Sequence, residues 1–209
     1  MSRLLHQRTT KEFFKIPYTE EQVRDMLTAS YMAEVAYRHL PYINDDGTVK
    51  YIDIASKWLH SPKTPGLILC GMPGNGKTTL VKAIQTLINS LNIKDDYGRI
   101  CGISLLNARE LARLSKEKYE SFKNYMTKPM LAIDDLGVEP MEVLSYGNVI
   151  NPVIELLSYR YDEQLLTIVS TNLRPQEIRE KYKDRIADRF NEMMTKIVFE
   201  TRSFRGRKV

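Results

Sequence analysis

The chain has no apolar stretch of membrane-spanning length, no low-complexity tract, no internal repeat and no long linker. A bilayer-crossing helix needs about 20 apolar residues in a row, so no membrane association is expected. Cysteine is scarce: Cys70 and Cys101 are the only two in 209 residues. They sit inside the apolar runs Leu67-Ile68-Leu69-Cys70 and Ile100-Cys101-Gly102-Ile103. There they read as small core residues, not as a disulfide or a metal pair. His6, His39 and His60 are scattered and match no metal-ligand spacing. The opening Met-Ser-Arg-Leu-Leu-His-Gln-Arg carries charge but lacks the apolar centre of a signal peptide. These absences imply a reducing, cytoplasmic setting.

What is present is globular. Hydrophobic residues make up 43% and charged residues 27%, enough to build a core in a chain of this length. The net charge of +5 suits a polyanionic partner without requiring one. Thr19-Glu20-Glu21-Gln22 has capping-box spacing and opens a helix expected to run to about His39. Asn44-Asp45-Asp46-Gly47 marks a turn, and a shorter helix over 52–59 leads to the break at Pro62 and Pro65. Residues 1–60 are thus expected to be a peripheral helical extension, and residues 61–209 the core.

From Gly66 onward, apolar β-type runs at 66–70, 100–105, 130–134, 166–171 and 196–200 alternate with helical patterns. Those patterns cover 77–91, 107–125, 148–161 and 175–194. Alternation of this kind requires crossover connections, hence an α/β fold with a parallel sheet covered by helices on both faces. Asn107-Ala108-Arg109-Glu110 has the spacing of a second capping box.

Gly71-Met72-Pro73-Gly74-Asn75-Gly76-Lys77-Thr78 satisfies G-x-x-x-x-G-K-[ST], between an apolar strand and a helix pattern. Glycines let the main chain wrap so that successive N–H groups face phosphate oxygens. The helix N-terminus adds positive potential. Lys77 would reach the β- and γ-phosphates and the Thr78 hydroxyl would ligate Mg2+, with Thr79 completing the ATP-binding segment.

Such a loop needs a carboxylate at a neighbouring strand end. Met130-Leu131-Ala132-Ile133-Asp134-Asp135 supplies two. Asp134 is expected to hold the metal, and Asp135 to orient and deprotonate the attacking water. Glu139 is the reserve base. A turn before Gly137 would explain the same acids without chemistry. Asn172 closes the β-branched run Thr167-Ile168-Val169-Ser170-Thr171. It is placed either as a water-positioning amide or as a cap for the helix near Pro175. These groups fall at carboxyl ends of strands, where open α/β sheets gather ligands. Arg185 and Arg189 are four apart on a helical pattern, hence expected on one face. They fit either a γ-phosphate contact to a neighbouring subunit or local pairing with Asp184, Asp188 or Glu192.

Together these segments resemble the DnaC/IstB group of AAA+ ATPases, bacterial helicase loaders and transposase helpers. The resemblance rests on residues 71–78, Leu131-Ala132-Ile133-Asp134-Asp135-Leu136-Gly137, Ser170-Thr171-Asn172-Leu173, Asp184-Arg185-Ile186-Ala187-Asp188-Arg189 and Ser203-Phe204-Arg205-Gly206-Arg207. It covers roughly residues 55–209. It implies a five-stranded parallel sheet with no large C-terminal lid, ATP hydrolysis, and homo-oligomers when ATP is bound. It makes Arg189 the arginine finger with Arg185 beside it, and Arg205 a second nucleotide sensor with Arg207 as fallback. The implied partners are DNA, single- or double-stranded, and a replicative helicase in DNA replication; for a transposase helper the partner is a transposase. One departure stands out: the residues ahead of the P-loop strand do not match the docking module of the family's loaders.

Two other classes stay in view. A small-molecule kinase would use the same loop, although paired Asp134 and Asp135 suit water attack better. An interaction module would bind ATP as a switch with little turnover. For DNA contact the candidates are the 107–125 helix, with Arg109, Arg113, Lys116, Lys118 and Lys123 among Tyr119, Phe122 and Tyr125, and the basic tail at 202–208. On that helix, Glu110, Glu117 and Glu120 dilute the charge, and aromatics at helical spacing commonly pack inward.

Overall fold

The computed structural model describes residues 12–145, 148–200 and 204. In chain order these form α1 (Glu20–Ala36), α2 (Asp46–His60), β1 (Gly66–Gly71), α3 (Lys77–Ser90), β2 (Ser104–Asn107), α4 (Ala108–Glu117) and α5 (Tyr119–Thr127). There follow β3 (Met130–Leu136), a short antiparallel hairpin of β4 (Val143–Ser145) and β5 (Asn148–Ile150), α6 (Pro152–Asp162), β6 (Leu166–Thr171), α7 (Pro175–Met193) and β7 (Met194–Phe199).

Five strands make one parallel sheet in the order β2-β3-β6-β1-β7. Period-2 alternation sends neighbouring residues to opposite faces. Leu67, Leu69, Met130, Ala132 and Ile168 join one apolar cluster, while Ile68, Leu131, Ile133 and Val169 join the other. The strand order matters for function. It sets the end of β1 beside the end of β6, and β6 beside β3, with Cys70 level with Thr171 and Ile133 level with Val169.

The first helices are not peripheral, which corrects the expectation from sequence. Val23, Leu27, Tyr31, Trp58 and Leu59 are buried in the same cluster as Leu67, Leu80 and Ile84. Each fully buried aliphatic side chain contributes about 1.5–3 kcal/mol, so α1 and α2 are anchored to the sheet by its core. The amphipathic pattern of α1 has its apolar stripe against α3 rather than against solvent. Thr19 caps α1 with a complete capping box: its hydroxyl accepts from Gln22 N–H, and the Gln22 side chain accepts from Thr19 N–H.

Boundaries moved where local hydrogen bonding overrides pattern. Asp45 is a helix cap rather than part of a plain turn, accepting from Thr48 N–H at 2.7 Å. Ile100 is claimed by a bend in which Asp95 accepts from Tyr97 and Arg99 N–H, so β2 starts only at Ser104. The expected 107–125 helix breaks at Lys118 (φ −145°, ψ 68°). Asn107 caps α4 through Arg109 N–H, but Glu110 turns to Arg113 instead of closing a box. Residues 148–150 are strand, because α6 cannot begin before Asn151, its cap, and Pro152. Cys70 and Cys101 are free thiols, each half-buried.

Arg160 is fully buried without a carboxylate among its hydrogen-bond partners. Its guanidinium donates to Thr167 Oγ1 (2.8 Å) and to the carbonyls of Leu166 (2.6 Å), Lys128 (2.8 Å) and Met126 (3.1 Å). It thereby ties the end of α5 to the start of β6. Burial pushes its pKa down to about 9.

Candidate active site

β1 runs into a loop that only glycine can form at two points. A Cβ on Gly71 (φ 150°) would lie 2.6 Å from the Phe199 carbonyl, and one on Gly76 (φ 97°) 2.8 Å from the Tyr31 hydroxyl. Gly76 occupies the N-cap of α3 without a side-chain cap. A helix start without a side-chain cap is where main-chain N–H groups can receive an anion. Lys77 is 5% exposed. Its ammonium group donates to the carbonyls of Gly71 (2.7 Å) and Met72 (2.8 Å) and to Asn75 Oδ1 (3.1 Å). Asn75 in turn donates to the Phe199 carbonyl, anchoring the loop to β7. The loop thus arches around its own lysine.

Beside it, the Thr78 hydroxyl donates to Asp134 Oδ1 at 3.0 Å. The Ser170 hydroxyl donates to the same oxygen and accepts from Asp135 N–H at 2.9 Å. Ser170 is fully buried. Sequence reasoning passed over it as one more polar residue at a strand end; its signal is that β6 separates β1 from β3, visible only once the strand order is known.

Asp135 has φ +55°, and the β3–β6 register shifts between Ile133 and Leu136. A bulge of this kind re-aims a side chain, and a left-handed non-glycine residue costs about 1–3 kcal/mol. Here the distortion brings Asp135 to the wall of a cleft of about 720 Å³, which residues 73–79, Asp134, Asn172 and Phe204 also line. Asn172 is exposed at the end of β6 in the same cleft. Glu139 is not: it is 3% exposed and accepts from Gly137 N–H (2.8 Å) and the Tyr182 hydroxyl, with Lys181 at 3.4 Å. The reserve base is thus buried against α7 and does not line the cleft. Burial, and then Glu139, push the Tyr182 pKa up.

No protein-family model and no curated protein matches this chain. Solved structures do. A crystal structure of DnaI superposes with TM-score 0.62 at 23% identity, covering 92% of this chain and 97% of that one. The AMPPCP-bound DnaA from Aquifex aeolicus gives 0.54 at 19%, over 75% of this chain and 48% of that one. A replication initiator DnaA bound to AMPPCP and single-stranded DNA gives 0.55 at 16%, over 77% and 49%. The fold is that of the AAA+ P-loop ATPases. Its five-stranded parallel sheet flanked by helices is as the DnaC/IstB resemblance implies, and this chain spans about half the length of those DnaA chains.

On this AAA+ frame the two arginines part company. The expected shared exposed face does not exist. Arg185 is exposed, while Arg189 is 9% exposed, stacked over Tyr161 (4.5 Å to the ring centroid) and paired with Asp162 at 3.1 Å. Asp184 and Asp188 pair with Arg179 instead. α7 is interrupted at Lys183 (φ 69°), so Arg185 and Arg189 both belong to its second half. Arg205, with the rest of the basic tail except Phe204, lies outside the described residues. Phe204 N–H donates to the Gly74 carbonyl at 2.9 Å.

The α4–α5 segment does not offer the expected stacking surface. Phe122 is fully buried and Tyr119 stacks on it, because the apolar stripe faces the core. Arg113 is paired with both Glu110 and Glu117. The largest omission from the sequence reading is on the other side of the cleft. Tyr31, Arg38, Leu40, Pro41, Tyr42 and Ile43 line it opposite the phosphate loop, and Arg38 donates to Thr79 Oγ1. No motif announces them. Burial, followed by Tyr42 and Asp45, pushes the Tyr31 pKa up to about 12.

Proposed function

We propose that the chain binds and hydrolyses Mg-ATP and acts on DNA as a DnaC-like loader that hands a replicative helicase onto its template. The observation that carries this is the convergence of Thr78 and Asp134 at 3.0 Å beside a phosphate loop closed over Lys77. A hydroxyl and a carboxylate are hard oxygen donors, which fits Mg2+ arriving with a polyphosphate. When bound, the ion would offset charge on the phosphates. In this scheme Lys77 leaves its carbonyl partners for the β- and γ-phosphates, and the N–H groups opening α3 hold the remaining oxygens. Asp135 accepts the proton of the attacking water, and Asn172 orients that water. The likeness to DnaI over nearly the full length of both chains supports the loader reading, as do the DnaC/IstB-like motifs.

An arginine from a second copy would complete the site in an ATP-dependent homo-oligomer. The resemblance points to Arg189, and its exposure points to Arg185. The test is phosphate release by the full chain as protein concentration rises, with and without DNA. Turnover per chain that climbs with concentration and with DNA supports the proposal. Binding without turnover would instead identify an ATP-switched interaction module. Asp134→Asn is expected to keep nucleotide affinity within a few-fold and lose about 100-fold in turnover. Capture with the chain from its host then separates a helicase partner from a transposase.

A further inference from the structure

Opposite the phosphate loop, the chain reverses after α1. Tyr37, Arg38 and His39 form the reversal, with His39 at φ +55° and Leu40 N–H bonded back to the Val35 carbonyl. This six-to-one closure is a Schellman-type end made without glycine. It sends residues 40–43 along the cleft and leaves Leu40 55% exposed and Ile43 36% exposed against it. Exposed aliphatic side chains lining a concave wall are what a planar, apolar-faced base requires.

Arg38 stands where that wall meets the phosphate loop. Its guanidinium donates to the hydroxyl of Thr79, one residue past the metal-ligand candidate Thr78. In a phosphate loop the lysine serves the β- and γ-phosphates, while the backbone at the helix start cradles the α- and β-phosphates. Thr79 lies in that first turn. A guanidinium carries five N–H donors in a rigid fork and stays charged.

We propose that Arg38 is a nucleotide-binding residue that grips the α-phosphate, while Leu40 and Ile43 seat the base, so that α1 is part of the ATP site. This rests on the ATP-site assignment above and deepens it. Because ATP and ADP share an α-phosphate, Arg38 acts on both alike; the terminal phosphate is left to Lys77. Nucleotide is thereby coupled to the N-terminal helices, and loss of the nucleoside end weakens that coupling.

The experiment is calorimetric titration of the full chain with Mg-ATP and with ADP, for the native protein, Arg38→Gln, Arg38→Lys and Tyr37→Ala. Tyr37 is 82% exposed and does not line the cleft, so its variant serves as the control. For Arg38→Gln we expect Kd to rise about tenfold or more for ATP and ADP equally. Arg38→Lys should recover part of the loss, and Tyr37→Ala should bind both nucleotides as the native chain does. Unchanged affinity in Arg38→Gln, with the native chain binding normally, overturns the proposal but leaves the ATP site standing. A native chain that binds neither nucleotide overturns both. A lower Tm with unaltered affinity assigns Arg38 to holding α1 against α3 and also overturns it. If Arg38→Gln does not fold, Leu40→Asp is titrated instead, with weaker binding of both nucleotides expected.

Discussion

The two walls of the cleft are built by different rules. The phosphate wall is a contiguous segment, residues 71–79, whose geometry follows from its own glycines, its lysine and the helix it starts. The opposite wall is assembled from α1 and the reversal that follows it, held in place by packing of Val23, Leu27 and Tyr31 into the core. The first wall is local and announces itself as a pattern. The second is a product of tertiary structure, in which no residue type at any spacing is obligatory.

The largest effect should come from the local wall. Lys77→Ala is expected to abolish measurable nucleotide binding, beyond about a 100-fold loss in Kd, because the loop's buried ammonium is gone. Normal affinity would mean that the arch around Lys77 is only a structural turn. Next comes the anchoring of the assembled wall. Trp58, 4% exposed with its indole N–H donated to the Thr64 carbonyl, should cost about 3–5 kcal/mol when replaced by alanine. Urea unfolding of Trp58→Ala as a single transition at lower midpoint would join both walls in one cooperative unit. A separate early transition with the sheet unaffected would detach the N-terminal helices from the core.

How much of this was legible follows the same division. The parallel sheet could be read because β1, β3 and β6 are apolar runs of strand length, each followed by a helical pattern. The loop, Asp134 and Asn172 could be singled out because they stand at the ends of apolar runs, and the structure sets all three around one cleft. The order β2-β3-β6-β1-β7 did not come from the residues themselves, and without it Ser170 had no reason to be chosen. Arg38 was invisible for a related reason: it is 41 residues from Thr79 in sequence. Glu139 shows the opposite error. An acid near the right place looked available, and only the three-dimensional partners reveal that Tyr182 and Lys181 use it.

Smaller effects refine the comparison. In turnover assays at saturating ATP, Arg185→Ala should lose about tenfold or more with binding intact, as expected of an arginine presented to a neighbour. Arg189→Ala should show two losses, one in turnover and one of about 1–3 kcal/mol in stability, since its guanidinium is also packed on Tyr161 and Asp162. Equal turnover at every protein concentration in both variants would argue against use in trans.

The smallest effect is a pH dependence. Burial pushes the Tyr31 pKa in the fold up to about 12, whereas an unfolded tyrosine ionises near pH 10. Its folded pKa is raised, so its contribution is complete below about pH 10 and is lost as pH climbs toward 12. Tyr182 acts in the same direction. Stability measured across this range should fall, and Tyr31→Phe should make the fall shallower; an identical slope would place Tyr31 in contact with solvent.

The central claim is that the arch formed by residues 71–78 receives the phosphates of ATP with a divalent ion between Thr78 and Asp134. A crystal structure of the chain with a non-hydrolysable ATP analogue and Mn2+, located by its anomalous signal, tests this directly. The expected result is a triphosphate along the loop with Lys77 turned away from the Gly71 and Met72 carbonyls and manganese beside Thr78 and Asp134. A loop still closed on Lys77, with the nucleotide elsewhere or absent at saturating concentration, would contradict it.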